Sequence, residues 1–188
     1  MLKVAITGNI ASGKSQVEQY LSKIFPVYDT DKIAHKILDE IKDFYGYDVF
    51  TNGKIDRKKL GRLVFSDLEL KKKLEMIIHP QVKEILNNIF EKHKNDKFVF
   101  VSVPLLFEAG FDGMFDKIIL VTTDDKTRLE RLMKRDNLTK EEALSRIKSQ
   151  ISEKEKIKKS DFIIENSLNF HNLENQTDQI LALLNSLF

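Results

Sequence analysis

The fold is decided by Gly8-Asn-Ile-Ala-Ser-Gly13-Lys14-Ser15, a stretch with the GxxxxGK[ST] spacing of a phosphate-binding loop, or P-loop. Glycines allow the backbone to curl so that successive N–H groups face one anion, and the following helix directs its positive dipole end at the same point. The apolar segment Leu2–Thr7 precedes this stretch, and Gln16–Ile24 follows it with apolar residues at helical spacing. A chance glycine turn is the alternative, and the order strand, loop, helix argues against it.

The loop predicts the binding of a nucleoside triphosphate but no particular reaction. We expect Lys14 to reach the β- and γ-phosphates and the Ser15 hydroxyl to bind Mg²⁺. The remaining contacts to the nucleotide are expected from the loop and its first helical turn, namely from Gly8, Ala11, Ser12, Gly13 and Gln16. The chain contains no NKxD segment, with which a GTPase reads its base.

The composition indicates one globular α/β protein. The chain has 188 residues, of which 41% are hydrophobic and 32% charged. The absence of cysteine excludes disulfides and thiolate chemistry. The formal net charge of +2 gives no argument for nucleic acid or an anionic membrane as a partner. Because the longest apolar run, Phe98–Phe107, is too short to cross a bilayer, we expect a soluble, cytoplasmic protein without a membrane partner.

The pattern of strands and helices predicts a parallel sheet with helices on both faces. The predicted strands are Leu2–Thr7, Phe25–Tyr28, Phe98–Val103, Lys117–Thr122 and Asp161–Ile164. The segment Asp124–Gln150 is predicted to be helical, and an amphipathic helix follows the last strand. In such sheets ligands bind outside the carboxyl ends of the strands, so the functional residues should gather there.

A helical insertion is predicted between the second and third strands. From Lys32 to Asn95 we find no strand pattern. Phe65–Met76 and Val82–Phe90 are predicted as two helices, and Asn52-Gly53 as a turn. His79 precedes Pro80, a pair that suits the first turn of a helix.

A pair of carboxylates follows the second predicted strand. Asp29 and Asp31 flank Thr30, and residues i and i+2 of an extended chain project to the same side. Both would then point toward the carboxyl edge of the sheet, where a kinase needs a carboxylate to orient and deprotonate an acceptor hydroxyl. The alternative is a helix N-cap with a solvated neighbour.

Arginine is concentrated in one segment. Four of the six arginines fall within 19 residues, namely Arg128, Arg131, Arg135 and Arg146. Arginine is preferred to lysine where phosphate is held by two parallel hydrogen bonds, so we interpret the segment as a lid that closes over the triphosphate. The alternative is a solvated helix face with ion pairs to Asp124, Glu130 and Asp136.

These motifs together resemble the dephospho-CoA kinase family over nearly the whole chain. The further matching segments are Asp29–His35, Ile78-His79-Pro80, Val103–Glu108, Arg128–Arg131, Arg135-Asp136 and Asp161–Asn166. The resemblance implies transfer of the ATP γ-phosphoryl group to the 3′-hydroxyl of dephospho-CoA, with Mg²⁺ as cofactor. It also implies a three-layer P-loop kinase fold similar to adenylate kinase, with a five-stranded parallel sheet, a helical acceptor-binding insertion and a helical lid.

The resemblance also assigns expected roles to residues. Asp31 would be the catalytic base, with Asp29 beside the acceptor in a supporting role. Lys14 and Arg135 would stabilise the transferring group, and Arg131 would contact the nucleotide. The remaining candidates come from the residues themselves. His35, His79 and Glu108 are candidates for the acceptor site, each with a structural role as the alternative, and Asn166 either reads the adenine edge or is a turn residue.

Expected domain boundaries and partners complete the prediction. The nucleotide-binding core would comprise residues 1–31, 97–123 and 160–188, the acceptor domain 32–96 and the lid 124–159. The partners would be the small molecules ATP and dephospho-CoA, with a monomer or a weak homo-oligomer as the working form. The rival hypotheses are a nucleoside or nucleotide kinase of the same fold and a non-catalytic nucleotide-binding regulator.

Three positions depart from the family pattern. Ala11, Gln16 and Thr30 stand where the family usually has Gly, Thr and Ala. Ala11 has the clearest physical consequence, because a residue with a Cβ disfavours the positive φ that a glycine loop uses.

Overall fold

The computed structural model describes residues 1–40, 49–51, 54–56, 59–60, 67–167 and 170–188. The chain divides into two compact units. The first unit comprises Met1–Tyr28 and His93–Phe188, and the second unit comprises Asp29–Lys92. The predicted three-part division into core, acceptor domain and lid stays a prediction. No described helix is long and apolar enough to cross a membrane.

A five-stranded parallel sheet with helices around it forms the centre of the fold, as predicted. Its strands are β1 (Leu2–Gly8), β2 (Val27–Asp29), β5 (Phe98–Ser102), β6 (Lys117–Thr122) and β7 (Phe162–Glu165), in the order β2-β5-β1-β6-β7. The central strands are apolar runs because both faces of a parallel sheet are covered. Register places Ile6 opposite Ser102 on one side of β1 and Gly8 opposite Val121 on the other.

Helices of the first unit cover the sheet. They are α1 (Lys14–Leu21), α4 (Asp125–Asp136), α5 (Lys140–Lys148), α6 (Glu153–Lys158) and α7 (Phe170–Asn185). Val17 and Leu21 of α1 and Leu173 of α7 lie in the same buried cluster as Ile6 and Phe100 of the sheet. Val17 and Leu21 of the predicted stripe therefore lie in the core, whereas Ile24 follows the end of α1 and is 62% exposed.

The segment predicted to be helical from Asp124 to Gln150 forms two successive helices, α4 and α5. Helix α4 ends at Asn137, which adopts a left-handed φ of 52° as its C-cap. Thr139 then begins α5 with a capping box, because its side chain accepts from the Glu142 amide while Glu142 accepts from the Thr139 amide. Asparagine tolerates the left-handed conformation that stops a helix, which explains the break.

The elements that the structure describes in the second unit are helices and a short strand pair. They are α2 (Thr30–Glu40), β3 (Phe50–Thr51), β4 (Lys54–Ile55) and α3 (Leu68–Lys92). The antiparallel pairing of β3 with β4 contradicts the prediction that this region lacks strands. The turn predicted at Asn52-Gly53 lies outside the described residues, as does Phe65.

Helix α3 is continuous where two helices were predicted. Pro80 lies inside it, so the placement of His79-Pro80 in a first turn is wrong. A buried apolar stripe runs along the helix on both sides of the proline, made of Leu74, Ile78, Val82, Leu86 and Phe90. Burial of this stripe outweighs the hydrogen bond that proline removes from the helix.

Candidate active site

The P-loop follows the end of β1, and its backbone needs glycine at two positions. A Cβ on Gly8 would lie 2.5 Å from the Ser12 Oγ and 2.6 Å from the Val121 carbonyl oxygen. Gly13 has a φ of 88°, and a Cβ there would lie 1.9 Å from the Asn166 Nδ2. Ala11 adopts a φ of 61° despite its Cβ. The loop thus keeps its turn at this departure from the family pattern, with backbone strain at one residue.

Asn166 fastens the loop from the end of β7. Its side chain is buried, and its Nδ2 donates to the Ser12 carbonyl at 2.9 Å and to the Gln16 Oε1 at 3.0 Å. Its own amide donates to the Thr122 carbonyl of β6 at 2.8 Å. Sequence reasoning missed this contact because the two segments are far apart in the chain. A role for Asn166 toward adenine stays a prediction.

Lys14 begins α1 and lies in a cluster with two other polar side chains. Its ammonium contacts the Glu18 carboxylate and the Ser102 hydroxyl. The Ser102 hydroxyl in turn donates to the Glu18 Oε1 at 2.6 Å. The Lys14 and Glu18 side chains are only 16% and 17% exposed, so the charges face each other in a partly desolvated place. Glu18 is not among the predicted site residues, although its i,i+4 spacing from Lys14 indicates an ion pair on one helix face.

The residues that follow α5 are joined to the P-loop. The Ile10 amide donates to the Gln150 Oε1 at 2.7 Å, and the Asn9 side chain donates to the Ile151 carbonyl at 3.4 Å. The Ile151 amide donates to the Glu108 Oε1 at 3.2 Å. These hydrogen bonds connect the end of the arginine-bearing segment to the phosphate loop.

Glu108 is also one partner of a buried ion pair. The Lys156 Nζ lies 2.8 Å from the Glu108 Oε1, and the lysine side chain is fully buried. Burial of a charge is unfavourable unless it is paired, so this pair fixes α6 against the segment that follows β5. A contact of Glu108 with the acceptor stays a prediction. Sequence reasoning gave no signal for Lys156, which stands among several lysines of similar appearance.

The arginines of α4 and α5 lie in different surroundings. The buried Arg128 lies 2.6 Å from Asp125 and 3.4 Å from Glu153, measured from its Nη2. Desolvation raises the pKa of Glu153 in spite of this neighbouring guanidinium. Arg131 is half-buried, and its Nη1 is enclosed without a hydrogen-bond partner among the described residues.

Asp136 holds two of the arginines at once. It accepts from the Arg135 Nε at 2.8 Å and Nη2 at 3.1 Å, and from the Arg146 Nη1 at 2.8 Å. The hydrogen bonds from Arg135 lower the pKa of Asp136. Asp136, one of the three predicted ion-pair partners of the arginines, therefore pairs with Arg135 and Arg146. Asp124 instead caps α4 by accepting from the Thr127 amide at 2.8 Å.

The paired aspartates of the second unit differ in local structure. Asp29 ends β2 and Asp31 lies in the first turn of α2, so the prediction that both stand on an extended chain is wrong. The Asp29 Oδ1 accepts from the Asp31 amide at 2.9 Å, which is the contact of an N-cap. The cap forms because α2 begins at Thr30, directly after Asp29. The Asp31 side chain is exposed.

The two histidines predicted for the acceptor site, His35 and His79, both lie in the second unit. His35 lies on α2, one turn after Asp31, and is half-buried. His79 lies on α3, where burial lowers its pKa below the ordinary value. Their contacts with a substrate stay predictions.

Comparison with known proteins gives one consistent result. The family model described as dephospho-CoA kinase matches residues 2–172. A dephospho-CoA kinase of Fusobacterium nucleatum is 46% identical over 178 residues, covering 90% of this chain and 92% of that protein. One from Listeria innocua is 40% identical, covering 96% of this chain and 94% of that protein.

Solved structures agree with these sequence matches. The dephospho-CoA kinase of Campylobacter jejuni is 36% identical with a TM-score of 0.71, covering 96% of this chain and 95% of that one. The Thermus thermophilus structure titled TT1252 is 37% identical with a TM-score of 0.84, covering 97% of each chain. A shikimate kinase of Bacteroides thetaiotaomicron, at 14% identity and a TM-score of 0.55, shares the fold.

Proposed function

The chain belongs to the dephospho-CoA kinase family, and on that premise we propose how its own residues carry out the reaction. The enzyme transfers the γ-phosphoryl group of ATP to the ribose 3′-hydroxyl of dephospho-CoA, the final step of CoA biosynthesis. The observation that carries the residue assignments is the P-loop geometry, in which the backbone curls tightly at Gly8 and Gly13 and Lys14 begins α1 directly afterwards.

Stabilisation of the phosphates is assigned to the P-loop. Backbone N–H groups between Gly8 and Ser15 and the positive end of α1 bind the phosphate oxygens. Lys14 exchanges its contact with Glu18 for the β- and γ-phosphates and offsets the charge that develops there. The loop is held ready for this by Asn166, whose hydrogen bonds reach both Ser12 and Gln16.

The donor atoms near the loop suit Mg²⁺. The Ser15 hydroxyl and the Glu18 carboxylate are hard oxygen donors, which this ion prefers. The described residues contain no group of three or more His, Cys, Asp or Glu side chains able to hold a metal alone. We therefore assign the ion to a nucleotide-bound site with Ser15 as the protein ligand. When bound, Mg²⁺ neutralises charge on the phosphate oxygens.

Asp31 is the proposed general base. The Asp31 side chain is exposed in the first turn of α2, and the Asp29 carboxylate accepts from the Asp31 amide as the helix cap. Asp31 would accept a hydrogen bond from the 3′-hydroxyl, orient the oxygen for in-line attack and take its proton. His35 and His79 would line the acceptor site in the same unit.

The segment from α4 to α6 is proposed as the lid. Arg135 would turn toward the transferring phosphoryl group, and Arg131 would contact the nucleotide. Closure over the phosphates would exclude water and limit wasteful hydrolysis of ATP. The hydrogen bonds of Asn9 and Ile10 to Gln150 and Ile151 support this assignment, because they join the lid to the loop it would cover.

The surroundings in which the enzyme works are also proposed. We assign it to the cytoplasm, where ATP is available, as a monomer or a weak homo-oligomer with small-molecule partners. Light scattering after size-exclusion chromatography, at two protein concentrations, tests the oligomeric part of this proposal. A tight, concentration-independent oligomer would contradict it.

An acceptor panel tests the proposed function. The purified protein is incubated with MgATP and dephospho-CoA, with nucleosides or with nucleoside monophosphates, and ADP formation is followed. We expect ADP to form rapidly only with dephospho-CoA. Equal or faster turnover of a nucleoside or a nucleotide would favour the rival kinase hypothesis, and tight ATP binding without any phosphorylated acceptor would favour a regulator.

A further inference from the structure

Glu18 places a negative charge directly beside the phosphate loop. Its carboxylate contacts the Lys14 ammonium and accepts from the Ser102 hydroxyl at 2.6 Å. The carboxylate is therefore held from two sides, and at 17% exposure it is only weakly screened by solvent. A fixed, poorly screened carboxylate in this place must influence which anion the loop accepts.

Ser102 determines where that carboxylate is held. It is the last residue of β5, is fully buried, and pairs in register with Ile6 of the strand that leads into the loop. P-loop enzymes hold their Mg²⁺ with the loop hydroxyl and an aspartate of the Walker-B strand. In this chain β5, one of the two strands beside β1, ends in Ser102, and the Glu18 carboxylate reaches the Ser102 hydroxyl from α1.

The charge of the nucleotide decides whether a carboxylate beside the loop favours metal-free ATP or MgATP. Metal-free ATP carries about four negative charges at neutral pH, and a carboxylate beside the loop repels its phosphates. Bound Mg²⁺ removes two of those charges and provides water that a carboxylate can accept from. Lys14 alone cannot produce a preference for MgATP, because a cation attracts both forms and attracts the more highly charged metal-free ATP more strongly.

We propose that Glu18, held in place by Ser102, makes the P-loop selective for metal-loaded nucleotide. This inference rests on the proposed function, since it concerns the ATP site of that same reaction. Glu18 is a specificity-determining residue in this account and takes no part in the proton transfer. When the nucleotide draws Lys14 to its phosphates, Ser102 keeps the carboxylate beside the loop.

Equilibrium binding tests the inference. Isothermal titration measures the Kd of ATP in EDTA and in excess Mg²⁺ for the natural protein, Glu18→Gln and Ser102→Ala. Glu174→Gln is the matched control, because Glu174 lies on α7 and pairs with Lys23 at 3.8 Å. Thermal unfolding of each variant verifies that it is folded.

We expect Glu18→Gln to bind metal-free ATP at least about tenfold more tightly, and to change the Kd for MgATP by less than about threefold. The preference for MgATP should collapse by the same tenfold factor. Ser102→Ala should shift the preference in the same direction by a smaller factor, because the carboxylate remains but is no longer held. Glu174→Gln should leave both constants unchanged.

Two results would overturn the inference. If Glu18→Gln changes both constants by the same factor, Glu18 only competes for Lys14 and confers no selectivity. If neither constant changes, the carboxylate has no influence on the nucleotide. Failure of the natural protein to bind ATP in either medium is a separate outcome, which would reject the proposed function and this inference with it. If Glu18→Gln does not fold, the sign of the shift in Ser102→Ala decides.

Discussion

At the scale of single residues, Asp29 and Asp31 show how two like side chains lie in different local structure. Asp29 is engaged as the cap of α2 through the Asp31 amide, whereas the Asp31 carboxylate is exposed one turn before His35. A capped helix start holds the backbone of Asp31 in place and leaves its carboxylate in contact with solvent. This local structure supports the proposal that Asp31 is the base.

Asp31→Asn should reduce kcat by about 100-fold or more, because an amide cannot accept the proton of the 3′-hydroxyl. The Kd for ATP should stay within about twofold of the natural value. Steady-state kinetics with dephospho-CoA and a direct ATP titration measure the two quantities. Asp39→Asn, at an exposed position on the same helix, is the matched control. Near-normal turnover of Asp31→Asn would remove this residue from the role.

Ala11 carries the backbone strain of the loop, with a φ of 61°. Ala11→Gly should therefore raise the free energy of unfolding by up to about 1 kcal/mol, as measured by urea denaturation. Ala34→Gly, in the interior of α2, should lower it by about 1 kcal/mol. Destabilisation by both substitutions would show that Ala11 is not strained in solution.

At the scale of elements, hydrogen bonds and one buried ion pair join α6 and the residues after α5 to the P-loop. Lys156 pairs with Glu108, and Glu108 accepts from the Ile151 amide. The Ile151 carbonyl and the neighbouring Gln150 side chain accept from Asn9 and Ile10 of the loop. An element fastened at its base in this way can move at its far end without losing its position. The arrangement therefore suits a lid that closes over the nucleotide.

Lys156→Met should lower the free energy of unfolding by about 3–5 kcal/mol, because it leaves the Glu108 carboxylate partly buried without its partner. Lys158→Met, at an exposed position on the same helix, should change it by less than about 0.5 kcal/mol. Urea denaturation compares the two variants. If the double variant Lys156→Met with Glu108→Gln regains part of the lost free energy of unfolding, the ion pair is supported. If Lys156→Met and Lys158→Met lower the free energy of unfolding equally, it is contradicted.

Asp136 gives the two arginine-bearing helices α4 and α5 a predictable response to acid. Hydrogen bonds from Arg135 lower its pKa in the folded state below the ordinary value of 3.8. A lowered folded-state pKa adds stability above the ordinary value, and that stability is lost as the pH falls through the folded-state value. Asp136→Asn should therefore flatten the decline of the melting temperature between about pH 5 and pH 2. Glu130→Gln, on the exposed side of the same helix, should leave the decline as it is.

The opposite result for Asp136 has a clear meaning. If Asp136→Asn and the natural protein lose stability in parallel on acidification, the contacts to Arg135 and Arg146 contribute nothing in solution. The arginines would then be positioned by other groups. Differential scanning calorimetry over that pH range distinguishes the two cases.

At the scale of the whole molecule, the fold was predictable because local and global signals agree. The strands of the sheet are apolar runs such as Lys117–Thr122, and the P-loop marks the first of them. The prediction of two helices in place of α3 failed because burial of side chains outweighs the local preference of a proline. Pro80 normally begins or ends a helix, yet the stripe from Leu74 to Phe90 keeps α3 continuous through it.

The functional residues were predictable to a smaller extent. Lys14 and Ser15 follow from a motif with a fixed spacing, and the aspartate pair from its place after a strand. Glu108–Lys156 and Asn166–Ser12 were not predictable, because each joins segments that are far apart in the sequence. A buried lysine differs from a surface lysine only in its surroundings, which a single sequence does not display.

Mass analysis of the reaction product is the measurement that tests the central claim most directly. The protein is incubated with MgATP and dephospho-CoA, and the nucleotide product is fragmented to locate the added group. We predict a gain of one phosphoryl group on the ribose 3′-oxygen, formed in step with ADP and lost in Lys14→Ala. Release of ADP without any gain in mass of dephospho-CoA, or a phosphoryl group at another position, would contradict the account.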